Sequence, residues 1–189
     1  MIRYQFFSVL LVSFLLSNSW ADLVSAQAVD TELAQKQLGI DTKTESILEE
    51  LLESNAGARQ LFEQAAGYAA FSVTKAGFFV TAGGGTGVLV DKATGRRIYM
   101  RMGTGGIGIA IGAQTYDLVV FFENQPILEA FMDGGWDTSA NAQAAAGQVG
   151  YTATSSFVDG VAFFQLTGKG LMAVADVAST RFWIAKNLN

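Results

Sequence analysis

The cations that lie closest together in this chain are Arg96, Arg97 and Arg101, with Tyr99 among them. In an extended strand residues 97, 99 and 101 share a face. Guanidinium groups placed that way can grip phosphate oxygens bidentately, although a solvated hairpin edge, charged to keep other chains away, has the same pattern. A second mixture, Arg181-Phe182-Trp183-Ile184 with Lys186, combines rings and cations as interfacial anchors do; a terminal element tucking its aromatics into a core would read alike. Catalysis has little to work with. The chain has no histidine and no cysteine, which removes the commonest general base and the thiol nucleophile. Ser155 and Ser156 therefore lack an activating imidazole. Asp133 and Asp137 flank Gly134-Gly135-Trp136, ordinary turn chemistry with nothing nearby to raise one carboxyl pKa. A metal site would have to be all-oxygen, and no calcium-loop pattern occurs. These observations imply a binding or structural module that is not an enzyme, with no metal and no cofactor.

The glycines carry the second signal. Residues 106–113 alternate strictly, Ile107, Ile109 and Ile111 against Gly108, Ala110 and Gly112, which is the period of a β-strand. A strand with so bare a face admits a second sheet, a helix or a flat ligand at close range. Gly103-Thr-Gly-Gly-Ile-Gly108 spells G-x-G-x-x-G, but a β pattern follows it instead of the helix that would hold a pyrophosphate. Dinucleotide binding is not expected.

The first residues read as targeting. Arg3 gives a positive n-region, residues 6–16 an apolar h-region, and small residues follow at Ser19 and Ala21 and again at Ala26 and Ala28, the marks of a secretory signal peptide. Cleavage after Ala21 or after Ala28 fits. The apolar run is nearer a dozen residues than the roughly 20 a membrane span requires. No cysteine follows it for lipid attachment, and no disulfide can form, so stability must come from packing. Residues 1–28 are thus expected to be removed and residues 29–189 to form one domain, exported to the periplasm or secreted. The net charge of −5 becomes −6 once Arg3 leaves, because residues 1–21 hold no acid. Nucleic acid is excluded as a diffuse partner, and any anionic surface must be met by a local basic patch.

Elements follow from period and punctuation. Residues 44–66 place Ile47, Leu48, Leu51, Leu52, Leu61, Phe62 and Ala65 at helical spacings, with a start at Ser46 or Thr42 in capping-box form and a break at Asn55-Ala56-Gly57. Strands are predicted near 69–73, 77–82, 87–91, 97–102, 106–122 with a bend near Gln114, 138–148, 161–166 and 171–177. Hairpin turns fall at 91–95, 159–160 and 167–170. Pro126, the only proline, suits the first turn of a short helix over 126–132. The predicted fold class is α+β: N-terminal helices packed on a strongly curved or closed, glycine-rich, mainly antiparallel sheet, a barrel-like sandwich with one short inserted helix.

In order and spacing several segments resemble the SYLF domain: Ala65-Ala66-Gly67-Tyr68-Ala69-Ala70-Phe71, Val73-Thr74-Lys75-Ala76-Gly77-Phe78, Gly87-Val88-Leu89, Ile111-Gly112-Ala113-Gln114-Thr115-Tyr116, Leu128-Glu129-Ala130-Phe131 before Trp136, and 140–150. That lipid-binding domain occurs beside SH3 domains in yeast and animal actin regulators, beside FYVE domains in plants, and alone in many exported bacterial proteins. The likeness runs from about residue 51 to 177. Ser72 departs from the proline usual there, which affects the local turn. With no SH3 or FYVE domain in the sequence, actin and endosomal roles are not implied. The resemblance implies phospholipid or phosphoinositide binding without catalytic residues, and it adds Lys75 as a candidate contact beside Gly77; a strand-end lysine capping carbonyls would look the same.

The expected function is a non-catalytic, exported module that binds phospholipid or the membrane surface. Its candidate contacts are Lys75, Arg96, Arg97 and Arg101, with Gly77, Gly108 and Gly112 as close-packing or groove glycines. Three arginines at roughly 1 kcal/mol each supply only about 3 kcal/mol, weaker than millimolar binding, so apolar contact must contribute. The alternative is a structural or protein-interaction component of the cell envelope without a lipid ligand. An integral outer-membrane barrel fits less well, because helices precede the strands and the last residues are Asn187-Leu188-Asn189. N-terminal sequencing of the mature protein is expected to begin at Asp22 or Val29; a mature chain starting at Met1 would overturn the export reading.

Overall fold

The computed structural model describes residues 5–134, 156–167, 170–172 and 180–189, with side chains described for 29–77, 82–105, 114–133, 156–167 and 180–189. The predicted strand over 138–148, the motifs around Trp136 and 140–150, and most of the strand over 171–177 lie outside the described residues. So do the surroundings of Gly108 and Gly112. Two units divide the chain, Met1–Leu38 and Gly39–Asn189. The first is helical from Gln5 onward, and Glu32 and Lys36 pair across one turn at 2.7 Å.

In the second unit the end of helix α1 (Gln5–Ser54) is followed by α2 (Ala56–Gln64), β1 (Gly67–Asp91), β2 (Arg97–Phe122), α3 (Gln125–Gly134), β3 (Val161–Thr167), β4 (Gly170–Met172) and β5 (Thr180–Ile184). The predicted helix break is where the sequence puts it. Asn55 interrupts the helix and caps α2, its side-chain oxygen accepting from the Ala58 N–H at 2.9 Å. Neither proposed capping box starts a helix, because α1 already runs through Thr42 and Ser46. Thr44 instead donates back to the carbonyls of Ile40 and Asp41, each at 3.0 Å, as a threonine inside a helix does. Asn124 accepts from the Ile127 N–H at 3.1 Å and begins α3, so Pro126 sits in the first turn, which needs no intrahelical donor.

β1 and β2 form one antiparallel hairpin with register from Gly67↔Phe122 to Val90↔Arg97. Its turn is tied by Asp91, whose carboxylate accepts from the Ala93 N–H at 2.9 Å while Gly95, at φ 71°, donates to the Asp91 carbonyl at 2.8 Å. Burial opposes ionisation of Asp91. Hydrogen bonds from Thr94, Ala93 and Gln125 outweigh it and hold the carboxyl below the ordinary aspartate range.

Twenty-five extended residues would reach about 80 Å. Yet Lys92, just past the end of β1, donates to the carbonyl of Ala66, just before its start, at 3.0 Å. The strand therefore doubles back on itself. The register slips between Phe78↔Ile111 and Val80↔Ile107, leaving residues 108–110 opposite Phe79 alone, and such a bulge bends and twists a ladder. Gln114, where the bend was expected, pairs in register with Lys75. The two arms of β1, 67–75 and 83–91, then meet closely. A methyl group on Gly87 would overlap the carbonyl oxygen of Ala70, one on Gly85 would lie 2.6 Å from that of Ser72, and one on Gly83 2.9 Å from that of Thr74.

Folding of the hairpin makes two layers. The remaining edge of β2 carries β3 along 117–122 and β5 along 100–104, and β4 extends β3. No ladder among the described residues joins the two ends of the path, so the antiparallel sheet is folded but not closed. Alternation along the β1 arm divides the core. Ala69, Phe71 and Val73 point between the layers with Leu89, Met100, Met102, Phe182 and the α3 residues Leu128 and Phe131. Ala70, with Val119, Phe121, Phe164 and Leu166, faces Ile47, Leu51, Ala58 and Leu61 of the helices. The α+β class with helices backing a strongly curved sheet is the observed one.

The glycine contacts make a graded test. Gly87→Ala is expected to destabilise by about 1 to 3 kcal/mol or more, because backbone must move. Gly84→Ala, whose added methyl would be 3.5 Å from the nearest atom, should change stability by less than about 0.5 kcal/mol. Urea midpoints of the two variants check this, and equal losses would refute the close approach.

Candidate functional site

The structure separates the four cations the sequence groups. Arg97, first in β2, is turned to helix α1, where its guanidinium donates to Asp41 at 2.9 Å and to Glu45 at 3.0 Å. Tyr99, on the same face, donates its hydroxyl to Asp41 at 3.0 Å. Burial raises the Tyr99 pKa first, and the bond to Asp41 and its charge raise it further. For Arg97 burial works against the charge, but Glu45 and Asp41 outweigh it and raise the pKa. Lys43 and Asp117 add a pair at 3.1 Å. This group fastens α1 across the outer side of the hairpin. Arg96 stands exposed in the turn beside it. Lys75 is half-buried on the other arm of β1, its Cα within 3.1 Å of where a methyl on Gly83 would be. Gly77 pairs with Gly112 at the bend, and Gly108 belongs to the register slip.

Arg101 belongs elsewhere. Two residues beyond Tyr99, it pairs in register with Trp183 of β5 and donates to the Asn187 side chain at 3.1 Å. Thr180 and Phe182 point inward, and Phe182 stacks obliquely on Phe71 and Phe131 with ring centres 5.1 Å apart in both cases. Period two then sends Arg181 and Trp183 outward. The Trp183 ring lies over Gly103, 3.2 Å from where a methyl group would stand there. Asn189 holds the following segment by accepting from the Tyr99 N–H and donating to the Tyr99 carbonyl, both at 2.9 Å.

The result is an open cleft of about 530 Å³ lined by Arg101, Met132, Trp183, Ile184, Lys186 and Asn187, with Asp133 also on its wall. Trp183 remains 45% exposed and Ile184 37%. The structure bears out the core reading for Phe182 and leaves Trp183, Ile184 and Lys186 exposed beside it. Trp183, Ile184 and Lys186 are the residues missing from the sequence-based site. Their composition was visible, but their meeting with Arg101 required the β2–β5 pairing.

Among the described residues no group of His, Cys, Asp and Glu side chains is placed to hold a metal ion, and no helix is long and apolar enough to cross a membrane. The cleft is an exposed surface on a folded, helix-backed sheet. Comparisons with known proteins place the chain among relatives. Residues 103–189 match the family model described as Ysc84, Las17-binding protein actin regulator. The chain is 30% identical over 154 residues to Beta cell expansion factor A of Aeromonas veronii, covering 82% of this chain and 59% of that protein. It is 38% identical over 76 residues to SH3 domain-containing YSC84-like protein 1 of Xenopus laevis, covering 38% of this chain and 23% of that protein. The chain thus spans less than two thirds of either relative. Residues 103–189 thus carry the signature of the SYLF (Ysc84) family of binding domains, the family that the ordered motifs of the sequence resemble.

Because the Arg97 pairs tie elements more than 50 residues apart, Arg97→Ala is expected to cost about 1 kcal/mol. It should also speed amide exchange over residues 39–54. The loss should shrink in about 1 M salt, which screens the pairs already. Unchanged exchange in α1 would show that the helix does not depend on this contact.

Proposed function

We propose that this protein is an exported, non-catalytic module that docks on anionic phospholipid surfaces through the cleft bordered by Arg101, the end of α3 and the end of β5. The observation that carries this reading is the exposed Trp183 and Ile184 bordered by Arg101 and Lys186. An indole beside cations suits the boundary between headgroup and acyl chain, where the ring needs apolar cover and the cations need phosphate. The association of the SYLF family with lipid binding supports the class of ligand. The n-region and h-region of the first 28 residues support export.

Magnitudes favour this surface over the arginine turn. Arg97 would have to leave two carboxylates to meet a phosphate, whereas Arg101 gives up one neutral partner. Two cations at about 1 kcal/mol each and the exposed parts of two apolar side chains at about 1 kcal/mol each sum to roughly 4 kcal/mol, near millimolar affinity for one molecule. Binding of this strength is reversible and depends on both kinds of contact.

Vesicle flotation of the mature protein tests it. The wild type should float with anionic vesicles at low salt and less at moderate salt. Arg101→Glu with Lys186→Glu, and separately Trp183→Ala with Ile184→Ala, should abolish flotation, while Arg96→Glu and Arg59→Glu should leave it intact. No flotation by wild type with any vesicle would turn the reading to an envelope component that binds protein. Loss in Arg96→Glu with retention in the cleft variants would return the site to the hairpin turn.

A further inference from the structure

The molecule has a second open groove, and it complements the first. Glu45, Glu49 and Glu53 recur every fourth residue along α1 and so form one ridge. Leu48 and Leu52 on α1 and Phe62 on α2 make an apolar floor beside it, and Arg59 closes the far wall, enclosing about 540 Å³. The three leucine and phenylalanine side chains are half-buried, packing on the core with their inner sides, and Lys92 covers part of the Phe62 ring at 4.5 Å from its centre. Arg59 is held in place by donating to the Leu52 carbonyl through Nε at 3.1 Å and Nη2 at 2.9 Å. Glu49 and Glu53 are exposed. No residue lining this groove lines the cleft at β5.

Each surface offers what the other lacks. The cleft presents an indole and an isoleucine flanked by Arg101 and Lys186, with Asp133 as its single acid. The groove presents an apolar floor flanked by the exposed Glu49 and Glu53, with Glu45 paired to Arg97, Arg59 on the far wall and Lys92 at the Phe62 end. We infer that the groove between α1 and α2 receives the Trp183-Ile184-Lys186 edge of a second copy of this chain. Trp183 and Ile184 cover Leu48, Leu52 and Phe62, while Lys186 and Arg101 of the entering copy face Glu49 and Glu53.

The two patches are different surfaces of one chain, so the contact is heterologous, and each added copy leaves one groove and one edge unfilled. Association is therefore stepwise and open-ended. Both surfaces are small and rimmed by charge, which places the contact among weak, salt-sensitive interfaces. It uses the same Trp183 edge as membrane docking, so an edge seated in a neighbour's groove is withheld from lipid. The inference itself needs no lipid.

Sedimentation equilibrium of the lipid-free mature protein, from about 10 to 1,000 µM at low salt, provides the test. The weight-average mass of wild type should rise with concentration and fall back in high salt. Trp183→Glu removes the edge and leaves the groove; Glu49→Lys with Glu53→Lys removes the groove and leaves the edge. Each should be monomeric alone, and an equal mixture should form a one-to-one dimer that grows no further. Should Trp183→Glu fail to fold by circular dichroism, Lys186→Glu replaces it: alone it should weaken association about tenfold, and joined in one chain to Glu49→Lys it should restore it. Wild type monomeric throughout, or no dimer in the mixture, overturns the inference. A monomer that still floats with vesicles refutes only this contact, and an associating protein that never floats refutes only the lipid reading.

Discussion

The structure depends on the absence of side chains along one face of β1. Gly83, Gly85 and Gly87 lie two apart, so their bare sides line up where the strand folds against its own beginning. At each of them the opposing atom is a carbonyl oxygen of the other arm, which is backbone and cannot rotate away as a side chain can. A β-hairpin of this length would otherwise be a long two-stranded ribbon with no interior, and such ribbons are marginal in water. Doubling it converts one ribbon into two facing layers and creates the space that Phe71, Met100 and Phe182 fill.

Everything outward of that fold is arranged by the same step. Once the arms are stacked, residues 97, 99 and 101 of β2 form an outer row reaching from helix α1 to β5. Arg97 and Tyr99 are spent on Asp41 and hold the helix in place. Arg101 lies beyond the helix and meets Asn187. The division of labour along one row of a strand, structural at one end and exposed at the other, follows from where α1 crosses it. Phe182 plays the matching part on β5: its ring joins Phe71 and Phe131 inside, and this anchoring keeps Trp183 directed outward.

Local chemistry was legible in the sequence wherever a single segment decides the outcome. Asn55 ends one helix and caps the next with its own side chain, and Asp91 with Gly95 closes a turn within five residues. The alternation that marks β2 as a strand likewise needs no partner to be read. The bend was misplaced because a bulge is a property of two strands: residues 108–110 alternate as well as their neighbours do, and only the register against Phe79 shows that they are extra. The capping boxes at Thr42 and Ser46 were misread for a similar reason, since a cap sequence inside a longer helix satisfies no free N–H group. The resemblance to the SYLF family was legible from ordered short motifs, and the family model matches over residues 103–189.

The basic patch shows why residue type and spacing underdetermine a site. Arg97 and Arg101 are equivalent by period, by side chain and by strand, and they differ only in what lies across from them. For Arg97 that is a pair of carboxylates 52 and 56 residues earlier in the chain. Two acids against one guanidinium leave Arg97 itself no charge to spare, while Arg96 stands exposed in the turn beside it. For Arg101 the neighbour is a neutral amide, and the positive charge is uncancelled there. The positive end of this row is therefore the one at β5, where Asp133 is the acid on the cleft wall, and the helix that neutralises Arg97 carries Glu49 and Glu53 exposed. The same acidic segment both occupies Arg97 and supplies the glutamates that line the groove between α1 and α2.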